Sequence, residues 1–267
     1  AAGIGNLIRT KLIKHHFTLF LNISVSISAS CFVYAVCLKI LEIAFHVPSV
    51  HEAGYICSML FIIPGFPFIT SGIDLAKLDL RSGLERLSYA IIIVLVATMF
   101  AWIMALLLSL RPLDFTDLNL DPILYLILRL IASFFGVFGF SIMFNSSTPM
   151  AATAALIGAI ANTLRLELVD LTSMPAPAAA FAGALMAGLL ASIIKKNNGY
   201  PRISLTVPSI VIMVPGLYLY RAIYNFGIMA LSDAVSWFAS AIMIIIALPL
   251  GLIFARILTD KTFRYCT

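Results

Sequence analysis

Residues 58–77 read SMLFIIPGFPFITSGIDLAK and residues 209–228 read SIVIMVPGLYLYRAIYNFGI. Each carries a proline-glycine pair, Pro64-Gly65 (followed by Pro67) and Pro215-Gly216, inside an apolar run that would otherwise be one helix. Proline lacks an N–H and clashes with the carbonyl four residues back, and glycine lets the chain unwind, so both runs are predicted to break there. On this reading Pro64 frees the carbonyl of Leu60, and Pro215 that of Val211. One kinked helix would be ordinary membrane structure. The same break in two places points instead to half-helices whose dipoles and unpaired backbone groups face a polar cavity near the middle of a membrane.

The likeness extends well beyond these pairs. Ala1-Ala2-Gly3-Ile4-Gly5 matches Ala154-Ala155-Leu156-Ile157-Gly158, Thr10 falls at Thr163, Asp74 aligns with Asn225, and Leu84–Leu110 is apolar in step with Val235–Leu258. The offset drifts only from 153 to 151. A first transmembrane repeat is therefore expected over 1–112, a linker at 113–120 within the polar stretch RPLDFTDLNLD, and a second repeat over 121–267. The first repeat has no counterpart of Asp121–Asn145, so a further upstream helix is expected. With five segments per repeat, an odd number, the second copy must enter the membrane from the opposite side, as an inverted-topology repeat.

Composition excludes a water-soluble core: 62% of residues are hydrophobic and 11% charged, with a mean hydropathy of +1.07. Apolar segments fall near 1–12, 17–46, 53–79, 83–110, 121–146, 149–165, 171–196, 201–229 and 231–259. Several reach the roughly 20 residues needed to cross a bilayer, which makes an all-α polytopic membrane protein the expected fold. Threading these segments puts Arg9, Lys11, Lys14, Lys77, Arg81, Arg86, Lys195, Lys196, Arg202, Arg256, Lys261 and Arg264 on one side, twelve of the 17 basic residues. That side is expected to be the cytoplasm of a plasma or inner membrane, with the C-terminus in it. Membrane orientation thus accounts for the net charge of +5, and no nucleic-acid partner is expected.

Chemistry of other kinds has little to build on. Cys31, Cys37, Cys57 and Cys266 form no CxxC pair and read as inert thiols, and His15 and His16 sit beside Lys14 at the cytoplasmic surface. There is no HExxH zinc site, GxSxG elbow, P-loop or Rossmann glycine pattern, so neither an enzyme nor a metal or other cofactor is expected.

Polar residues just past each break are the substrate-site candidates: Pro64, Gly65, Thr70 and Ser71 in the first repeat, and Pro215, Gly216, Tyr220, Arg221 and Asn225 in the second, beside Tyr218 and Tyr224. An arginine in a membrane helix is costly unless it faces a cavity, a partner or the interface, so Arg221 either binds a substrate carboxylate, pairs with Asp74 or snorkels. Asp74 is either a proton or cation site or the cytoplasmic end of a helix beside Lys77 and Arg81. Arg81, Ser82, Gly83, Glu85 and Arg86 form either a gating ion-pair network or a solvated loop. Arg129 reads as an anchor in the outer headgroup region. Asn145–Thr148 reads as a helix cap or turn.

Taken together, Pro64-Gly65, Asp74, Ser82-Gly83 with Arg86, and then Pro201, Pro208, Pro215-Gly216 and Tyr220-Arg221, resemble the pattern of the bacterial and fungal threonine/serine exporters over essentially the whole chain. The resemblance implies a ten-helix exporter, often with a soluble N-terminal region. It also implies proton-driven export of threonine and serine, or of a dicarboxylate such as succinate, as associated with a split relative. Asp74, Arg81 and Arg86 are then the candidates for coupling and gating, and Arg221 the carboxylate ligand. The expected partners are the lipid bilayer, a small amino acid or organic acid, and protons, with a homo-oligomer or a separate N-terminal region or subunit also open. A passive channel and a non-transporting scaffold are the competing functional readings.

Overall fold

A computed structural model of the chain describes residues 1–46, 51, 53–112 and 120–264, without the side chains of 195–198, 262 and 264. Residues 113–119 of the expected linker, Cys266, and the side chains of Lys195, Lys196 and Arg264 therefore lie outside the described residues. The helices are α1 (Ala2–Lys14), α2 (Leu19–Phe45), α3 (Gly54–Met59), α4 (Gly65–Ala76), α5 (Leu80–Leu107), α6 (Pro122–Met143), α7 (Thr148–Thr172), α8 (Ala176–Asn198), α9 (Arg202–Val211), α10 (Gly216–Gly227), α11 (Leu231–Thr259) and α12 (Lys261–Arg264). No strand occurs among the described residues.

Six of these, α2, α5, α6, α7, α8 and α11, are long and apolar enough to cross a membrane among the described residues, and the interrupted pairs α3 with α4 and α9 with α10 raise the number to eight. Ile43, Phe45, Leu107, Ile123 and Phe135 stand exposed on this surface, a penalty in water that hydrocarbon removes. The protein is thus an all-α, multi-pass membrane protein. The segment expected at 149–165 continues as α7 to Thr172, carrying Glu167 and Asp170 with it.

Packing divides the chain into two compact units, one of Ala1–Pro64, Ser88–Leu118 and Gly216–Ala241, the other of Gly65–Leu87, Asn119–Pro215 and Ile242–Thr267. Two of the cuts fall at Pro64/Gly65 and Pro215/Gly216, so α3 and α10 belong to the first unit and α4 and α9 to the second. Each unit therefore takes one half-helix from each expected repeat. Repeats are divisions by sequence likeness and units are divisions by packing, and one does not decide the other.

In the first unit, Ile27 and Cys31 of α2, Tyr55 and Met59 of α3, Ile93 and Ala97 of α5, and Tyr220 of α10 form one buried cluster. α2 also buries Asn22, Ser26 and Ser30, spaced four apart on one stripe. Without water each must find a protein partner: Ser26 donates to Asn22 Oδ1 at 3.3 Å and Ser30 to the Ser58 carbonyl at 2.7 Å.

The second unit relies on small residues. A Cβ on Gly158 would lie 2.8 Å from the Ser209 carbonyl, and one on Gly251 2.6 Å from that of Phe181. Backbones approach so closely only where a side chain is missing.

Backbone geometry repeats at the same offset as the sequence. α4 and α10 each end in a left-handed residue, Leu78 (φ 63°) and Met229 (φ 61°). Behind these, Asp79 N–H donates to the Asp74 carbonyl at 3.1 Å and Ala230 N–H to that of Asn225 at 2.9 Å, the six-to-one bond of a Schellman cap. Every residue of one set is 151 positions from its partner.

Gly251→Ala is expected to lower the thermal midpoint in detergent, because the new methyl meets backbone that cannot rotate away, a cost of about 1–3 kcal/mol for an overpacked site. Gly139→Ala, where nothing lies within 4 Å of the added Cβ, is the control and should leave the midpoint unchanged.

Candidate functional site

Both broken runs stop as their prolines dictate, but the carbonyls end differently from the expectation. α3 tightens into a 3-10 turn at Leu60–Ile62, and Ile63 N–H donates to the Leu60 carbonyl at 3.1 Å. Val214 N–H donates likewise to the Val211 carbonyl at 3.2 Å. The two carbonyls are therefore not left free. Losing the proline N–H shortens the ring by one residue, and a bond to the third residue replaces the lost bond to the fourth.

Pro64, Gly65, Pro215 and Gly216 are all buried. A Cβ on Gly65 would fall 2.4 Å from Val211 Cγ2 and 3.2 Å from Val214 Cγ2, both within the second unit. One on Gly216 would fall 2.7 Å from Leu60 Cδ2 and 3.3 Å from Ile63 Cγ1, both within the first. Adding 151 to Leu60, Ile63 and Gly65 gives Val211, Val214 and Gly216. Close approach is what these glycines provide, and each break gives it to the residues just before the other.

In the first unit, α10 brings Tyr220 and Arg221 into the interior. Tyr220 is fully buried and its hydroxyl lies 2.6 Å from that of Tyr55, with the rings edge to face at 5.6 Å. Arg221 is 9% exposed, with its guanidinium 4.7 Å over the Trp237 ring. Tyr218 meets the same indole edge on at 5.1 Å. The Asn225 side chain donates to the Arg221 carbonyl at 2.9 Å. A guanidinium little more than a turn from the N-terminus of α10 adds charge of the same sign as the helix dipole, so an anion here would be favoured by both.

In the second unit, Thr70 and Ser71 are buried on α4 and donate to their own helix, Thr70 to the Phe66 carbonyl at 2.9 Å and Ser71 to that of Phe68 at 3.0 Å. Each hydroxyl hydrogen is thereby used, while the oxygen keeps acceptor capacity. Asp74 Oδ2 lies 3.0 Å from Arg86 Nη1, an ion pair not aligned as a hydrogen bond. Arg86 counters a carboxylate set at the unfavourable, C-terminal end of α4. Arg81 reaches only Glu85 and is 90% exposed, where an ion pair contributes little. Arg81 thus has the solvated arrangement, and Arg86 is the member of the cluster tied to Asp74.

Comparison with known families adds to this geometry. A model described as "Threonine/Serine exporter, ThrE" matches residues 129–258, and a second threonine/serine exporter model matches residues 1–109. The chain belongs to the threonine/serine exporter family. Members are transporters and not enzymes. No curated protein and no solved structure matches the chain.

Sequence reasoning missed three partners in this family member. Tyr55 and Trp237 gave no signal, because an aromatic in an apolar helix is ordinary. The third is an ion cluster in the second unit, where Arg129 reaches Glu167 Oε1 at 2.7 Å, bonds Asp170, and stacks 4.1 Å over the Tyr125 ring. Arg129 is 13% exposed and cross-links α6 to α7 rather than standing as a lone headgroup anchor. The readable signal was Glu167 and Asp170 three residues apart at the end of an apolar run.

Arg129→Gln is expected to destabilise the protein by about 1–3 kcal/mol, since it leaves two neighbouring carboxylates uncompensated. Adding Glu167→Gln should recover part of the loss, read as a nonzero coupling in a double-mutant cycle of thermal midpoints.

Proposed function

We propose that this chain is a secondary active exporter of small hydrophilic amino acids, threonine and serine, driven by the proton gradient through alternating access at its two broken helices. Arg221 is the carboxylate ligand. The observation that carries this reading is a buried guanidinium just past a helix break, in a chain whose family is that of threonine/serine exporters. In hydrocarbon such a charge is retained where it has work to do.

Arg221 of α10 is a fixed cation suited to the carboxylate that serine, threonine and succinate all carry, and the family match favours the two amino acids. Asn225 holds the Arg221 backbone and Trp237 lies under its guanidinium, and Asp74 with Arg86 is the coupling pair. The reciprocal glycine contacts support two inverted repeats, over 1–112 and 121–267, since a twofold relation between the halves produces that reciprocity. The basic residues support a cytoplasmic C-terminus.

Counterflow of labelled serine, threonine and succinate in proteoliposomes, with and without a pH gradient, tests the assignment. Saturable serine and threonine flux is expected, with Arg221→Gln raising KM about tenfold or more and Arg221→Lys by less. Asp74→Asn should keep exchange while losing acceleration by the gradient. Absence of saturable flux for all three solutes would end the exporter assignment.

A further inference from the structure

The second unit holds a cavity of about 190 Å³ at the ends of α4 and α9 that lie away from the breaks. Among the described residues Lys77, Arg202 and Arg256 line it with one carboxylate, Asp260, while Thr206 adds a hydroxyl and Phe263 an apolar wall. At roughly 30 Å³ per water it has room for about six waters, which suits a solute of serine's size. It does not suit a peptide or a nucleotide.

The charges are unevenly compensated. Arg256 lies 3.5 Å from Asp260 and 4.0 Å over the Phe263 ring. Arg202 is held by neutral acceptors, the Thr259 hydroxyl at 3.0 Å and the Gly188 carbonyl at 3.2 Å. Lys77 makes no ion pair among the described residues. Among the described residues the lining has three cations and one carboxylate around an open volume.

The repeat shows that the fold does not require this arrangement. At the 151-residue offset, Lys77, Arg202 and Arg256 correspond to Ile228, His51 and Ala105, none of them lysine or arginine. Ile253, on the cavity wall, corresponds to Trp102. In the first unit the Trp102 ring lies against Gly227, 2.4 Å from where a Cβ would stand. Equivalent positions thus carry an aromatic ring at Trp102 in one unit and line a cationic cavity in the other. Membrane orientation sets the side on which these three residues lie, and their convergence on one open volume raises its potential, which favours an anion there.

We infer that this cavity is the cytoplasmic admission site, where Lys77 and Arg202 capture the substrate carboxylate before it passes along α4 and α9 toward the breaks. This rests on the exporter reading above. Thr206, one helical turn beyond Arg202, offers a hydroxyl to the solute's polar end. The apolar wall at Phe263 disfavours bulkier polyanions.

The test uses the full chain in nanodiscs for equilibrium binding of labelled serine and succinate, and in proteoliposomes for counterflow. Lys77→Gln/Arg202→Gln is expected to weaken binding and raise KM about tenfold, with maximal rate nearly held and Arg202→Lys intermediate. If the double variant loses its thermal midpoint, Lys77→Gln alone, on an exposed side chain, should still raise KM about threefold. Unchanged binding and KM in Lys77→Gln and in the folded double variant would overturn the inference. So would an effect seen only in vesicles containing phosphatidylglycerol and absent in pure phosphatidylcholine, since a lipid phosphate would then be the occupant. Carboxylate binding that depends on Lys77 and Arg202 without any flux would sink the exporter reading and leave this site standing. No carboxylate binding at all would sink both.

Discussion

Two contacts of one kind govern the rest of the molecule: Gly65 against Val211 and Val214, and Gly216 against Leu60 and Ile63. Each requires a residue without a side chain immediately after a proline and an aliphatic residue two and five positions before the other glycine. Proline stops the helix and the following glycine removes the bulk that would hold the chains apart. Because the helix restarts at once, two new N-termini arise inside the apolar layer, at Gly65 and Gly216. Thr70, Ser71 and Asp74, and Tyr220 and Arg221, follow within three turns of those restarts.

Hydrocarbon explains how polar groups are arranged around them. With no water to share, Leu60 and Val211 carbonyls take bonds from tightened turns, Ser30 reaches across to the Ser58 backbone, and Thr70 and Ser71 turn back on their own helix. Charges follow the same rule: Arg129 is clasped by two acids and a tyrosine ring, Asp74 by Arg86, and Arg221 lies against Trp237. Polar groups that are individually costly in a membrane thus become contacts within and between neighbouring helices.

Likeness between the repeats makes their differences informative. Leu78 and Met229 cap their helices in the same way, and Asp74 and Asn225 accept equivalent backbone bonds. Side chains on this shared frame diverge, however: aspartate against asparagine, threonine against arginine at Thr70 and Arg221, and Ile253 on a cationic cavity wall against Trp102. One backbone scheme thus carries unlike side chains at little structural cost.

Membrane insertion, both breaks and the alignment of Asp74 with Asn225 were readable from the chain alone, because apolar length, proline, glycine and repeat offset act on local backbone, whereas the end of α7 at Thr172 was not. Which carbonyls stayed free was misread at Leu60 and Val211, because turn tightening relaxes the local rule. Tyr55 under Tyr220, Trp237 under Arg221, and Glu167 with Asp170 on Arg129 could not be read at all. Those partners lie tens to more than a hundred residues apart in all but one case, and only helix packing selects which faces meet. Local physics therefore determined where the chain crosses and where it breaks. Tertiary structure alone decided which charge each broken segment confronts, since desolvation is a property of the assembled neighbours and not of the residue.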